Sequence, residues 1–268
     1  MSVGPSDRLP VGPIALSDIV AFLDHLLRPR DIPDQPTAMN GLQVENAGGV
    51  GWVAAAVDAS QATIDSVANA SRARGAPALL LVHHGLFWDD PAPLTDRRYR
   101  RVRALLTNDI ALYGAHIPLD VHAEVGNNAV LARQLGLGDT AWFDDYKGVP
   151  MGVMGALALP REELVSRVEA LLGSRARLIP GGPAVTSRVG VITGAAGSRI
   201  RAAKAAGCDT FITGEGAHHT YFDAMEFGVN VIYAGHYATE QVGVKALAER
   251  VSAEFGIPWE FFDHPTGM

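Results

Sequence analysis

Twice in this chain an apolar run ends in a histidine that is followed four positions later by a carboxylate. Leu112, Tyr113, Gly114, Ala115 and His116 precede Asp120, and Ile232, Tyr233, Ala234, Gly235 and His236 precede Glu240. A third group, His83 and His84, closes the run Leu79 to Val82. Imidazoles and carboxylates gathered at strand ends are ligands for borderline and hard divalent ions, so the chain reads as a metalloprotein.

Adjacent residues on a regular strand face opposite sides, so His83 and His84 do not easily share one ion. Where the strand ends and Gly85 follows, the two rings can turn toward two ions about 3.5 Å apart, as in two-metal hydrolytic sites. The alternative is one buried structural histidine beside one exposed one. His236 and Glu240 are separated by one helical turn and can converge on a point. A carboxylate there bridges two cations well, or else simply meets the positive end of a helix. Asp120 completes such a ligand set or caps the turn that follows it. His116 is either a ligand or an acid/base group.

Positioning these groups takes a sizeable fold. With 268 residues, 48% of them hydrophobic, the chain can bury a proper core. Its net charge of -7 argues against broad binding to phosphate backbones or anionic membranes, so neither nucleic acid nor a lipid surface is expected as a partner. A single cysteine, Cys208, rules out an intrachain disulfide and a thiolate cage and fits a reducing cytoplasm. No uncharged apolar run approaches the roughly 20 residues of a membrane span. Residues 1–16, rich in Pro, Gly and Ser, read as a flexible leader without the features of a secretory signal.

Ser17 caps a helix carrying Ile19, Val20, Phe22, Leu23, Leu26 and Leu27 at helical spacing. A strand over 52–57, a helix over 61–74, a strand over 78–82, a helix over 96–108 and a strand over 110–115 follow. After residues 144–151, read as the boundary between halves, a strand over 153–159 leads to a helix opened by Pro160. Only that helix and a loop are expected before residue 188. The alternation then recurs: strand 188–193, helix 198–206, strand 210–213, helix 219–227, strand 229–234, helix 239–255 and strand 259–262. The fold class is therefore α/β. Two similar halves, an internal pseudo-repeat, carry mostly parallel sheets with helical crossovers, and the metal site lies between the halves. The expected domains are 17–145 and 150–268, with the C-terminal part packing back on the first.

Five segments together carry a family resemblance: Asn40-Gly41-Leu42-Gln43-Val44, Val82-His83-His84-Gly85-Leu86-Phe87-Trp88, His116-Ile117-Pro118-Leu119-Asp120, Thr213-Gly214-Glu215 and Gly235-His236-Tyr237-Ala238-Thr239-Glu240. With them the chain resembles the type 2 GTP cyclohydrolase I family, also called the Nif-three-like or dinuclear metal centre hexameric proteins. The resemblance implies two divalent metal ions, with His83 and His84 on different ions, Asp120 joining His84, His236 joining His83, and Glu240 bridging. It implies a toroidal homohexamer, and places Glu215, His218 and His219 near the site. His116, Glu215 and His219 are the candidates for acid/base work.

The function expected is a dinuclear metal-dependent hydrolase with a small-molecule substrate. The family name suggests GTP, opened at its purine imidazole ring with release of formate; other nucleotides or phosphate esters suit two ions equally. The rival is a metal-binding regulatory or interaction protein in a hexameric ring. Nitrogen and oxygen ligands admit zinc, iron, manganese, nickel or cobalt. Three other features read structurally: Gly194 to Gly197 as a tight turn, the arginines at 97, 98, 100, 101 and 103 as a solvated helix face, and Phe87 and Trp88 as core beside a strand.

Overall fold

The computed structural model describes residues 12–88 and 92–268. Residues 1–11 of the expected leader lie outside the described residues, and Ile14–Ala15 already form a strand. In chain order the elements begin β1 (Ile14–Ala15), α1 (Leu16–Leu27), β2 (Gly41–Val44), β3 (Gly49–Val50), β4 (Trp52–Asp58), α2 (Gln61–Arg74), β5 (Ala78–His84), α3 (Asp96–Thr107) and β6 (Ile110–Gly114). Then come α4 (Ile117–Asp120), α5 (Asn127–Leu135), β7 (Gly138–Tyr146), β8 (Val149–Ala156), α6 (Arg161–Leu172), β9 (Arg177–Pro180), β10 (Arg188–Val191) and a 3-10 turn at Gly197–Arg199. The chain closes with α7 (Ile200–Ala205), β11 (Thr210–Thr213), α8 (Thr220–Phe227), β12 (Asn230–Tyr233), α9 (His236–Phe255) and β13 (Trp259–Phe261). This is an α/β chain. No helix among the described residues is long and apolar enough to cross a membrane.

Contacts divide the chain into two compact units: Met1–His116 with Leu247–His264, and Ile117–Ala246 with Pro265–Met268. The first holds a sheet of order β13-β4-β5-β6-β2, parallel throughout except at the β6–β2 edge. Trp52–Val57 and Ala78–His83 are buried without a break, the apolar run that central parallel strands require. The helix α2 is bounded by its own sequence. Ser60 Oγ accepts from the Thr63 amide at 3.1 Å, and Gly75 supplies the left-handed residue at its end. Ile64 and Val67 of that helix share a core with Trp52, Leu80, Leu105 and Leu112. The strand β5 runs through both histidines rather than stopping at Val82.

In the second unit the sheet order is β7-β8-β10-β11-β12-β9. Only β10–β11 and β11–β12 are parallel; β7–β8, β8–β10 and β12–β9 are antiparallel. Mostly parallel pairing therefore describes the first sheet and not the second. For the β7–β8 pair the cause lies at Lys147 and Gly148, whose φ of 52° and 89° make a tight hairpin turn that reverses the chain. Residues 144–151 thus close the β7–β8 hairpin, and the division between units falls after His116. The stretch read as one helix and a loop also holds β9, an edge strand whose Pro180 weakens its signal. Leu131, Leu135, Val168, Val189, Ile212 and Ile232 form the core of this unit. The helix α9 starts at His236, three residues before its expected start, so His236 and Glu240 stand one turn apart on one helix.

Candidate metal centre

In the first unit, β5 delivers His83 and His84 and the end of β6 delivers His116. One ring nitrogen from each of the three lies within 4.8 Å of the others, a group able to hold a metal ion. The ring nitrogens are sorted by what they touch. His83 Nδ1 donates to Ala115 O at 2.9 Å, His84 Nδ1 to Asp58 Oδ1 at 2.8 Å, and His116 Nδ1 to Asp34 Oδ1 at 2.8 Å. Carbonyl and carboxylate oxygens only accept, so the proton sits on Nδ1 and the lone pair of each ring sits on Nε2.

The supports of these rings come from residues with no metal-binding chemistry of their own. Asp34 is held by Asn40 Nδ2 at 2.8 Å and by the Gln35 amide at 2.6 Å. Burial pushes its carboxyl up, but the hydrogen bond and charge of His116, with those two donors, bring it below the ordinary carboxylate value. Asn40 Oδ1 also accepts the His116 amide at 2.8 Å. Gln43 Oε1 accepts the Leu86 amide at 2.8 Å, pinning the turn after the histidine pair. A Cβ at Gly85 or Gly114 would displace the Gln43 amide from its present position. Trp88 packs edge-on against His116 and His84, with centroids at 4.7 and 5.5 Å. Phe87 instead joins the core. Of the two aromatics read as core, Trp88 belongs to the site.

The second unit holds a donor set of its own. His236 Nδ1 donates to Glu215 Oε1 at 2.8 Å, and its Nε2 lies 3.2 Å from Glu240 Oε1. The Glu240 hydrogen bond raises the His236 pKa most; burial opposes it, Glu215 adds to it, and the imidazolium is pushed up to about 9. Glu240 is almost fully buried, and the reason there is room for its head is Gly194. That residue has φ 69°, and a Cβ on it would overlap Glu240 Oε1 and approach His236 Nε2 to 3.5 Å. Thr239 Oγ1 and Thr213 Oγ1 hold the Gly194 peptide at 3.1 Å each. The turn after β10 is therefore the floor of a carboxylate cradle.

Asp120, buried at the end of α4, accepts from Asn127 Nδ2 at 2.9 Å. Asn127 Oδ1 in turn accepts the Gly243 amide at 2.8 Å, which ties Asp120 to the turn of α9 that follows Glu240. His218 and His219 are exposed at the entry to α8, with His218 packed edge-on against Phe222. Among the described residues, Glu215 is the member of that segment that reaches His236.

These residues fit divalent cations. The donors are imidazole nitrogen and carboxylate oxygen, all four histidines have their Nδ1 protons committed, and Gly194 leaves open the space into which Glu240 and His236 point. Cys208 is no competitor, since burial pushes its thiol up to about 11. Asp34, Asp58, Asn40, Gln43, Asn127 and Gly194 are the site residues that spacing did not single out. For Asp58 a signal existed, because it is the last residue of β4 and lies directly opposite His84 in the parallel register.

The profile of the family described as Duf34/NIF3 (NGG1p interacting factor 3) matches residues 14–266. A GTP cyclohydrolase 1 type 2 homolog of Deinococcus radiodurans is 44% identical over 272 residues, covering 100% of both chains. Its counterpart from Pyrococcus abyssi is 41% identical over 254 residues, 94% of this chain and 98% of the relative. Among solved structures, protein ybgI, described as of unknown function, is 36% identical with a TM-score of 0.84, covering 95% of this chain and 100% of that one. TTHA1606 from Thermus thermophilus is 40% identical with a TM-score of 0.82 and the same coverage. With motifs, fold and near-complete coverage in agreement, the chain belongs to the DUF34/NIF3 family.

Proposed function

We propose that the protein is a dinuclear metal-dependent hydrolase whose donors come from both units. In this reading His83 and His236 would hold one divalent ion and His84 and Asp120 the other, with Glu240 a donor to both. What carries the reading is the uniform commitment of Nδ1 on His83, His84, His116 and His236, which leaves Nε2 of His83, His84 and His236 for the ions and that of His116 for a proton. Five protein ligands shared by two ions leave positions open, as a catalytic site requires and a structural one does not. The order strand, helix, strand, helix, strand over β4 to β6 and again over β10 to β12 supports treating the units as halves of a pseudo-repeat.

A pair of zinc, iron, manganese, nickel or cobalt ions supplies Lewis acidity, lowering the pKa of water and offsetting charge on an anionic substrate. The chain's own residues do the rest. Asp34 holds the Nδ1 proton of His116, so His116 Nε2 can take a proton from the attacking water and return it to the leaving group. Glu215 acts through His236, whose ring it orients by accepting the Nδ1 proton. Trp88 lies across the His84 and His116 rings and limits entry of bulk water beside them. The names of the relatives suggest GTP as substrate, with ring opening at the purine imidazole carbon and loss of formate; another nucleotide or phosphate ester satisfies the same groups.

The test is to load the purified protein with each of the five metals and offer GTP, other nucleoside triphosphates and bis(p-nitrophenyl) phosphate. Turnover above the metal-free protein, lost in His84→Ala and Glu240→Ala, is expected. No turnover with any of them overturns the hydrolase reading.

One observation favours the rival, a metal-binding interaction protein assembled as a ring. Tyr221, Phe222 and Met225 of α8 are 43%, 51% and 43% exposed, an apolar surface suited to contact with another protein or another copy of this chain. A homohexamer in sedimentation analysis, dissociated by Phe222→Glu, would support that assembly.

A further inference from the structure

Asn127 and Asn128 open α5, and both side chains are fully buried. Asparagine is a weak helix former, and a buried amide costs free energy unless its polar atoms are engaged, so two in succession need a reason. Their hydrogen bonds supply one. Asn127 Nδ2 donates to Asp120 Oδ1 at 2.9 Å, and its Oδ1 accepts the Gly243 amide at 2.8 Å. Asn128 Nδ2 donates to Asp120 O at 3.3 Å and to Met151 O at 2.8 Å. Its Oδ1 accepts from the amide and the hydroxyl of Thr193, at 2.8 and 3.0 Å. Each amide nitrogen faces only acceptors and each amide oxygen only donors, so an aspartate at either position would forfeit the bonds to Asp120.

The two side chains reach both elements that seat Glu240. Gly243 lies in the turn of α9 after Glu240, and Thr193 precedes Gly194, the floor of the carboxylate cradle. Gly243 is itself shaped by this arrangement. Glycine is unfavourable inside a helix, yet a Cβ at this buried position of the 20-residue α9 would overlap Asn127 Oδ1. We infer that Asn127 and Asn128 are positioning residues that hold the Asp120 and Glu240 carboxylates in a fixed relation. Resting on the metal-centre reading, divalent cation affinity depends on them, because acids ordered before the ion arrives bind it without the entropic cost of ordering them.

The test uses the full-length chain and cobalt(II), titrated against a competing chelator, with the visible absorption of bound cobalt as the signature of its coordination. Asn127→Ala and Gly243→Ala break the same contact from its two ends. Each should weaken cobalt binding about 10- to 100-fold and alter the absorption band, and the double variant should lose no more than the worse single one. Asn127→Ser replaces Asn127→Ala if the latter is too unstable to purify. A second readout needs no metal. In chelator-treated protein the Thr193 amide, whose acceptor is Asn128 Oδ1, should exchange its hydrogen faster in Asn128→Ala than in the native chain. Native cobalt affinity in folded Asn127→Ala and Gly243→Ala, or losses that add in the double variant, overturns the inference. So does a Thr193 amide equally protected in Asn128→Ala. A native protein that takes up no cobalt overturns the metal-centre reading instead, and the exchange measurement then decides this one.

Discussion

Glu215 Oε1 accepts the Nδ1 proton of His236 at 2.8 Å, and this single contact aims the other ring nitrogen at Glu240. The same device recurs at His84 with Asp58 and at His116 with Asp34. Removing such a support leaves the ligand in place but free to rotate. Glu215→Ala should therefore weaken metal binding about 10- to 100-fold, read by chelator competition. Unchanged affinity would mean that Glu215 is only a neighbour.

The same clamp fixes a pH dependence for the metal-free protein. Glu240 above all, with Glu215, raises the folded-state pKa of His236 to about 9 from an ordinary 6.5. A group whose pKa is raised on folding stabilises fully below its unfolded value and loses that contribution as pH climbs through the folded value. The thermal midpoint of chelator-treated protein should fall as pH rises from 6.5 through about 9, and His236→Gln should flatten that fall. Equal slopes in both proteins would contradict it. Metal uptake in this window should release a proton from His236.

Gly194 has no room for a side chain beside the second donor set. Its positive φ and the overlap of an added Cβ with Glu240 Oε1 act together. Gly194→Ala should cost about 1–3 kcal/mol in denaturant unfolding and lower metal content in parallel. A variant with full stability and full metal would show that Glu240 points elsewhere in solution.

Much of the architecture was legible because local signals agreed. Ser60 and Gly75 bracket α2 at its observed ends, and the unbroken apolar runs of β4 and β5 mark central strands. Signals failed where composition imitates a linker. Charged residues with Lys147, Gly148 and Pro150 looked like a boundary, whereas the left-handed pair Lys147-Gly148 is a hairpin turn. The clustered histidines were visible as residue types at strand ends, and Glu215 beside His236 as part of the family motifs. The partner of His116 was not, because Asp34 lies 82 positions away in a loop with no periodicity to reveal it. Gly194 carries no chemistry, and only the shape of the cradle shows why it is glycine.

Asp34 offers a test of His116 as the proton-transfer group. Asp34→Asn keeps the shape but removes the charge that stabilises a protonated His116. Turnover of whichever substrate is accepted should fall about 10²- to 10⁴-fold with metal content unchanged. Loss of metal in this variant would instead make His116 a ligand.

The proposal that His83, His84, Asp120, His236 and Glu240 serve one pair of ions is tested most directly by metal stoichiometry. Elemental analysis of the metal-loaded protein should give about two equivalents per chain, the count of a two-metal site. His84→Ala, from one unit, and Glu240→Ala, from the other, should each deplete it while the fold is retained. Two equivalents persisting in both variants, or none in the native protein, would contradict the account.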